Sequence, residues 1–183
     1  HQWKNGDLEL QHGYFRFVKQ MQIRDLQEEI CSRTSAKYAL TYCSGFSALF
    51  ELLIYLRDSL SSINLYFFSD IALSVGDIQN LEIPCKSLDL EKLIEPDLLS
   101  AKKGDVLLLS MEVPEMFLKD NTEWLEKLKH HRIPVIFYSP YLPNFDEWPD
   151  GITYWITGIS SSEFNDSILE IQAGIVLGNA DRQ

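Results

Sequence analysis

Apolar positions along this chain fall into short, nearly continuous runs separated by stretches with helical spacing. Between Arg24 and Arg33, Leu26 and Ile30 stand four apart, which places them on one face of a helix. Tyr38 to Tyr42 predicts a short apolar strand, and Ser44-Gly45 then opens an apolar helix to about Arg57. Ile63 to Phe68, INLYFF, has the length and aromatic content of a buried strand. Asp70 is suited to cap a short helix, and Leu88 to Leu99 carries helical periodicity interrupted by Pro96. Gly104-Asp105 predicts a turn before a strand at Val106 to Leu109. Asp120 to His130 predicts an amphipathic helix whose apolar stripe is Trp124, Leu125 and Leu128. Pro134 leads into a strand at Val135 to Tyr138, and Ile152 to Ile156 and Gly174 to Leu177 predict two more.

Strands that alternate with helices define an α/β protein. The strands are apolar almost throughout, which suits burial on both faces of a mostly parallel sheet. The expected fold is therefore doubly wound, with helices on both faces, in a single α/β domain over residues 1–183. Pro140, Pro143 and Pro149 mark one long irregular stretch. Ligands of such sheets bind beyond the carboxyl ends of the strands, so those ends are where chemistry is to be sought.

Composition narrows the function classes. The 183 residues are 45% hydrophobic and 12% aromatic, enough for a sizeable core and incompatible with disorder. Lys plus Arg number 16 against 27 Asp plus Glu, a net charge of −11. Such a surface repels nucleic-acid phosphates and anionic lipid. Residues His1 to Gly13 lack the features of a signal peptide, and the apolar run Gly45 to Leu56 is too short to span a bilayer. Cys31, Cys43 and Cys85 are odd in number and have no C-x-x-C spacing, which predicts free thiols and a cytoplasmic location. A start at His rather than Met suggests that an N-terminal piece is missing.

Two short motifs stand at predicted strand ends. Ser44-Gly45 lies between a strand and a helix, where backbone N–H groups of Gly45 and Phe46 can face an anion; a tight turn alone would also explain the glycine. Ser160, Ser161 and Ser162 follow another strand, where hydroxyls suit phosphate and a plain polar loop would look the same. His130 and His131 are adjacent and point apart on a helix, so they are solvated helix-end residues rather than a metal pair. Glu28, Glu29, Glu123 and Glu126 fit solvated helix faces, and no G-x-S-x-G, H-E-x-x-H or P-loop occurs.

Taken in order, these segments resemble the trans-sulfuration (Cys/Met metabolism) family of pyridoxal-phosphate (PLP) enzymes, which includes cystathionine gamma-synthase and the cystathionine lyases. Leu26 to Leu53, LQEEICSRTSAKYALTYCSGFSALFELL, resembles the family's L-E-…-L-E-G-A-…-A-L-…-S-S-G-M-A-A. Tyr14-Phe15-Arg16 resembles Y-S-R, and Val113-Pro114 with Asp120 resembles N-P-…-D. Val135 to Tyr138 falls at V-V-V-D, Ser160 to Phe164 at S-A-T-K-Y, and Ala173 to Val176 at G-G-V-V. Asp120 to Tyr138 is 18 residues, Tyr138 to Glu163 is 25, and Glu163 to Gly174 is 11, so the blocks align with little or no gap. The resemblance spans Tyr14 to Gly178 and implies the large domain of the aspartate-aminotransferase fold, fold type I, without the small C-terminal domain.

The departures bear on chemistry. The lysine that the resemblance implies as Schiff-base former is Glu163, and no lysine follows Lys129. A carboxylate forms no imine. The implied aspartate at the pyridine nitrogen is Tyr138, whose phenol supplies no fixed negative charge at neutral pH. The asparagine before the proline is Val113, and Ala72 or Leu73 is the nearest match to the ring-stacking aromatic. What the resemblance retains is phosphate-directed: Gly45 and Phe46 at the helix start, Ser160 and Ser162 at the hydroxyl positions, and Tyr14 and Arg16, which imply an arm toward a neighbouring subunit's phosphate.

The resemblance therefore implies a catalytically inactive homologue, a structural or regulatory partner in a homo- or hetero-oligomer, with an active relative as one candidate partner. It implies no covalently held cofactor; PLP enters through the resemblance alone. Two alternatives stay open: a sulfur amino acid lyase or transferase working with a second chain or without the usual lysine, and a simple anion- or nucleotide-binding domain.

Overall fold

In the computed structural model the described residues are 21–61, 63–68, 78, 81–88, 104–110, 122–139, 148–159 and 173–179. They form one seven-stranded sheet with three helices. The strands are β1 (Tyr38–Tyr42), β2 (Asn64–Phe68), β3 (Cys85–Leu88), β4 (Asp105–Ser110), β5 (Val135–Ser139), β6 (Tyr154–Ile159) and β7 (Ala173–Gly178). The helices are α1 (Met21–Thr34), α2 (Gly45–Leu60) and α3 (Thr122–His130). The strand order is β1-β7-β6-β5-β4-β2-β3. The pairs among β2 to β6 are parallel; β7 runs antiparallel to both β6 and β1, so it alone is inverted. This is the mostly parallel, doubly wound sheet expected from the sequence.

The two faces have separate cores. On one face α2 lays Leu49, Leu53 and Leu56 against Leu65, Leu108, Ile136 and Ile156. On the other, Ile30 of α1 and Leu125 and Leu128 of α3 cover Leu107, Leu109, Phe137 and Trp155. Strand alternation sends Leu107 and Leu109 one way and Leu108 the other, and all three are buried. That is why these strands are apolar without interruption. The Phe137 and Trp155 rings stack with centroids 4.3 Å apart.

The helices keep their charges outside. In α1 the Arg24–Glu28 and Arg33–Glu29 pairs lie on the solvent side, and Glu123 and Glu126 of α3 are exposed. Ile30 is buried, whereas Leu26, expected on the same buried face, is 48% exposed. One turn before Ile30, it is Gln27 that reaches the sheet, donating to Thr41 Oγ1 at 3.4 Å.

One element differs from expectation. Leu88, placed by periodicity at a helix start, ends β3, a parallel edge strand beside β2. Lys86 and Ser87 are exposed there, so CKSL carries no apolar signal for a strand. The remainder of that expected helix, the Asp70 cap, and Pro140 and Pro143 lie outside the described residues.

Ser139 and Thr157 are in register at the carboxyl ends of β5 and β6, on the face of Phe137 and Trp155, and both are buried. Thr157 Oγ1 finds no hydrogen-bond acceptor or donor among the described residues. A buried hydroxyl of this kind costs about 1–3 kcal/mol of desolvation. Thr157→Val, which keeps the branched shape, is expected to raise stability by about 1 kcal/mol. Urea unfolding checks this; a loss of stability would mean the hydroxyl is satisfied.

Candidate functional site

The carboxyl end of β1 runs through Cys43 and Ser44 directly into α2. Ser44 is the N-cap, with φ −160° and ψ 162°, and its Oγ accepts from the Ser47 amide at 3.1 Å. The Ala48 amide donates to the Ser44 carbonyl at 3.0 Å. Ser44 Oγ and Ser47 Oγ are 2.7 Å apart, and Cys43 Sγ lies 2.9 Å from Ser47 Oγ. A serine cap preceding an apolar run is the ordinary start signal of a helix. The Gly45 and Phe46 amides are left in the first turn without intrahelical acceptors, at the positive end of the helix dipole.

Glycines press this helix start onto the sheet. A Cβ on Gly45 would stand 3.1 Å from Gly158 Cα, 3.2 Å from Gly158 N and 3.3 Å from the Tyr138 hydroxyl. A Cβ on Gly174 would overlap the Ser44 carbonyl and lie 2.6 Å from Gly45 N. So β1, α2, β5, β6 and β7 meet at one point, beyond the carboxyl ends of β5 and β6. Among the described residues, that point is where the polar atoms of Ser44, Ser47, Cys43 and Tyr138 gather around a helix start.

Tyr138 comes from the last turnings of β5 on the α2 face and is partly buried against that core. Burial pushes its phenol above the ordinary tyrosine pKa, so it is neutral at physiological pH. It therefore offers a weak donor and acceptor and no charge.

Of the residues singled out in the sequence, Gly45 and Phe46 lie at this point. Gly45 is buried, and the exposed Phe46 ring stacks on Phe50 with centroids 4.4 Å apart. Tyr14, Arg16, Ser160, Ser162 and Glu163 lie outside the described residues. Strand β6 does carry the chain past Gly158, at Gly45, to Ile159, immediately before Ser160. His130 and His131 are exposed at the end of α3, which feeds the start of β5 and so belongs to the opposite end of the sheet. No cluster of metal-ligating side chains occurs among the described residues. Cys31, Cys43 and Cys85 form no disulfide, and no helix among the described residues is long and apolar enough to cross a membrane. Sequence reasoning missed Gly158 and Ser47. An isolated glycine inside an apolar strand is a known sign of close backbone approach, and Gly158 was readable on that ground.

This fold is that of the large domain of PLP-dependent fold-type I enzymes, at low sequence identity. O-acetylhomoserine sulfhydrylase of Wolinella succinogenes matches with TM-score 0.58 and 14% identity, over 85% of this chain and 45% of that one. MetB of Corynebacterium glutamicum matches with TM-score 0.59 and 16% identity, over 85% and 41%. An Exiguobacterium protein assigned as an aromatic amino acid beta-eliminating lyase/threonine aldolase matches with TM-score 0.66 and 15% identity, over 88% and 50%. The chain thus spans half or less of the length of these solved structures. No protein-family model matches it, and no curated protein matches its sequence.

The residues present do not fit a covalently held PLP. That cofactor needs an amine to form its imine, and the position where the resemblance implies that lysine is Glu163, whose carboxylate forms none. The place that the resemblance implies for an anionic partner of the ring nitrogen is held by Tyr138, whose neutral hydroxyl rests against Gly45.

Proposed function

We propose that this chain is a catalytically inactive homologue of the PLP-dependent trans-sulfuration enzymes, serving as a structural or regulatory partner in an oligomer. The observation that carries this reading is Glu163 at the place where the resemblance implies the imine-forming lysine, in a chain whose fold is similar to that of O-acetylhomoserine sulfhydrylase. An imine-forming amine and an electron sink act as a unit, and Glu163 and Tyr138 supply neither.

The test uses the purified chain incubated with PLP, then absorbance, borohydride reduction and mass spectrometry. The unmodified protein is expected to carry no covalent pyridoxyl group and to release neither pyruvate nor 2-oxobutyrate from sulfur amino acids. Glu163→Lys is expected to trap some PLP as an imine, and Glu163→Lys with Tyr138→Asp more, without restoring turnover. A reducible adduct or product release from the unmodified chain overturns the reading. Light scattering on the same sample, alone and mixed with an active relative, tests the partner role; a monomer in both removes it.

A further inference from the structure

Strand β1 forms one edge of the sheet, and among the described residues no strand pairs with its outer side. Such an edge presents main-chain donors and acceptors to any extended chain, and folded proteins guard it with charges, proline or a bulge. The opposite edge, β3, carries the exposed Lys86. Strand β1 reads YALTY and carries no such guard, and its pairing with β7 is unbroken over all five residues. Leu40 at its centre is 37% exposed. Strand alternation puts it on the α2 face, between the half-buried Tyr38 and Tyr42. One flank of α2 extends this surface along β1. Cys43 Sγ lies 2.9 Å from Ser47 Oγ, and the Tyr42 phenol is pushed above its ordinary pKa by burial and then by the charge of Glu51. Tyr55, one turn beyond Glu51, is 55% exposed.

We propose that β1 is the contact between two copies of this chain, which pair antiparallel across this edge about a two-fold axis at Leu40. The proposal rests on the oligomeric reading above and gives it a partner, a second copy, and a surface. A five-residue strand is self-complementary about its centre: Leu40 meets its own counterpart, Tyr38 faces the other copy's Tyr42, and Ala39 faces its Thr41. Two-fold closure is the usual geometry of homo-oligomers. Charge fits the same arrangement. Helix α1 joins β1 through three residues, 35–37, and runs back along it, so that Gln27 reaches Thr41. The carboxyl end of β1 therefore has Glu51, Asp25 and Glu28 near it, with Arg24 set between the last two. The amino end has Lys37 and, in the last turn of α1, Arg33 with its partner Glu29. Antiparallel pairing sets the more basic end of each copy beside the acidic end of the other and keeps the two Glu51 carboxylates far apart. Two chains of net charge −11 thus meet where the strand itself bears no carboxylate.

A contact of this size is small, so association is expected at micromolar concentration, with single copies below it. The experiment is sedimentation velocity of the purified chain over a concentration series, with hydrogen–deuterium exchange of the β1 and β3 segments at each concentration. The native chain is expected to form a dimer as concentration rises, and β1 to gain protection in step with it while β3 does not change. Leu40→Lys sets two like charges opposite each other at the axis and is expected to weaken the dimer by roughly tenfold or more. Leu40 lies outside the core, so the variant is expected to fold, which circular dichroism checks. Lys86→Glu on the other edge is expected to leave the dimer unchanged. A native chain that stays monomeric throughout overturns the proposal, even if it joins an active relative and so keeps the partner role. A dimer in which β1 gains no protection, or which Leu40→Lys leaves as tight as native, overturns the edge contact and leaves an oligomer built on another surface. Protection of β1 in the monomer at every concentration also overturns it, because the edge is then covered by this chain's own residues. A reducible PLP adduct overturns the inactive reading without touching the edge contact. If Leu40→Lys does not fold, the exchange series on the native chain alone decides.

Discussion

Replacing Gly174 with valine is expected to cost about 3 kcal/mol or more, the upper end of what overpacking costs. The first atom of any side chain at this position overlaps the Ser44 carbonyl, and it lies 2.6 Å from Gly45 N. Those are backbone atoms of the N-cap and first turn of α2, so no rotamer change relieves the contact. The helix start must move off β7, and the Ser44–Ser47 cap moves with it. A domain of this size has a total stability of about 5–15 kcal/mol, so the loss is a large share of it. Urea unfolding of the variant is the measurement, with Gly158→Ala as its control. At Gly158 an added Cβ meets nothing nearer than 3.7 Å, which is ordinary contact. Equal losses at the two positions would mean that the damage comes from removing a glycine and not from the collision with Ser44.

Leu108→Ala is expected to lower stability by about 2–5 kcal/mol. Leu108 is wholly buried in β4, between β2 and β5, in the core under α2. Its neighbours there include Leu65 and Ile136, each held in a paired strand, so the space left by the side chain cannot collapse. The expected signature is a lower urea midpoint with an unchanged slope. Leu40→Ala on the edge strand β1, where the side chain is 37% exposed, serves as the comparison and should change stability by about 0.5 kcal/mol or less. A Leu108→Ala loss no greater than the Leu40→Ala loss would deny the tight core described for that face.

Much of the fold was legible because burial on two faces leaves a plain mark. VLLL at 106–109 and VIFY at 135–138 have no room for polar residues, and both are strands almost as expected. The Ser44 cap marked the start of α2 correctly for an equally local reason. Strand β3 was illegible because an edge strand with exposed Lys86 and Ser87 has little core to report, and Leu88 alone suits a helix start equally well. The site was legible only in part. Gly45 pointed to a helix start near a sheet end, but the contact with Gly158 joins residues 113 positions apart, and no periodicity carries that information. Tyr138 was noticed for the charge it lacks, whereas its reach to Gly45 is visible only once β5 and β6 lie side by side.

The inverted strand β7 has a consequence for the order of folding. Strand β1 stands at one edge of the sheet, and its partner there is β7, with Tyr38 opposite Gly178 and Tyr42 opposite Gly174. Among the described strands, the first in sequence therefore waits for the last before it can join the sheet, while β2, β4 and β5 pair with nearer neighbours. Pairings this distant in sequence are slow to form, because the loop must close before any contact rewards it. Until β7 pairs with it, β1 has no strand partner among the described residues, and its apolar side chains stay uncovered. Pairing of β7 with β1 brings Gly174 beneath Ser44 in the same step, so among the described elements the α2 start takes shape late.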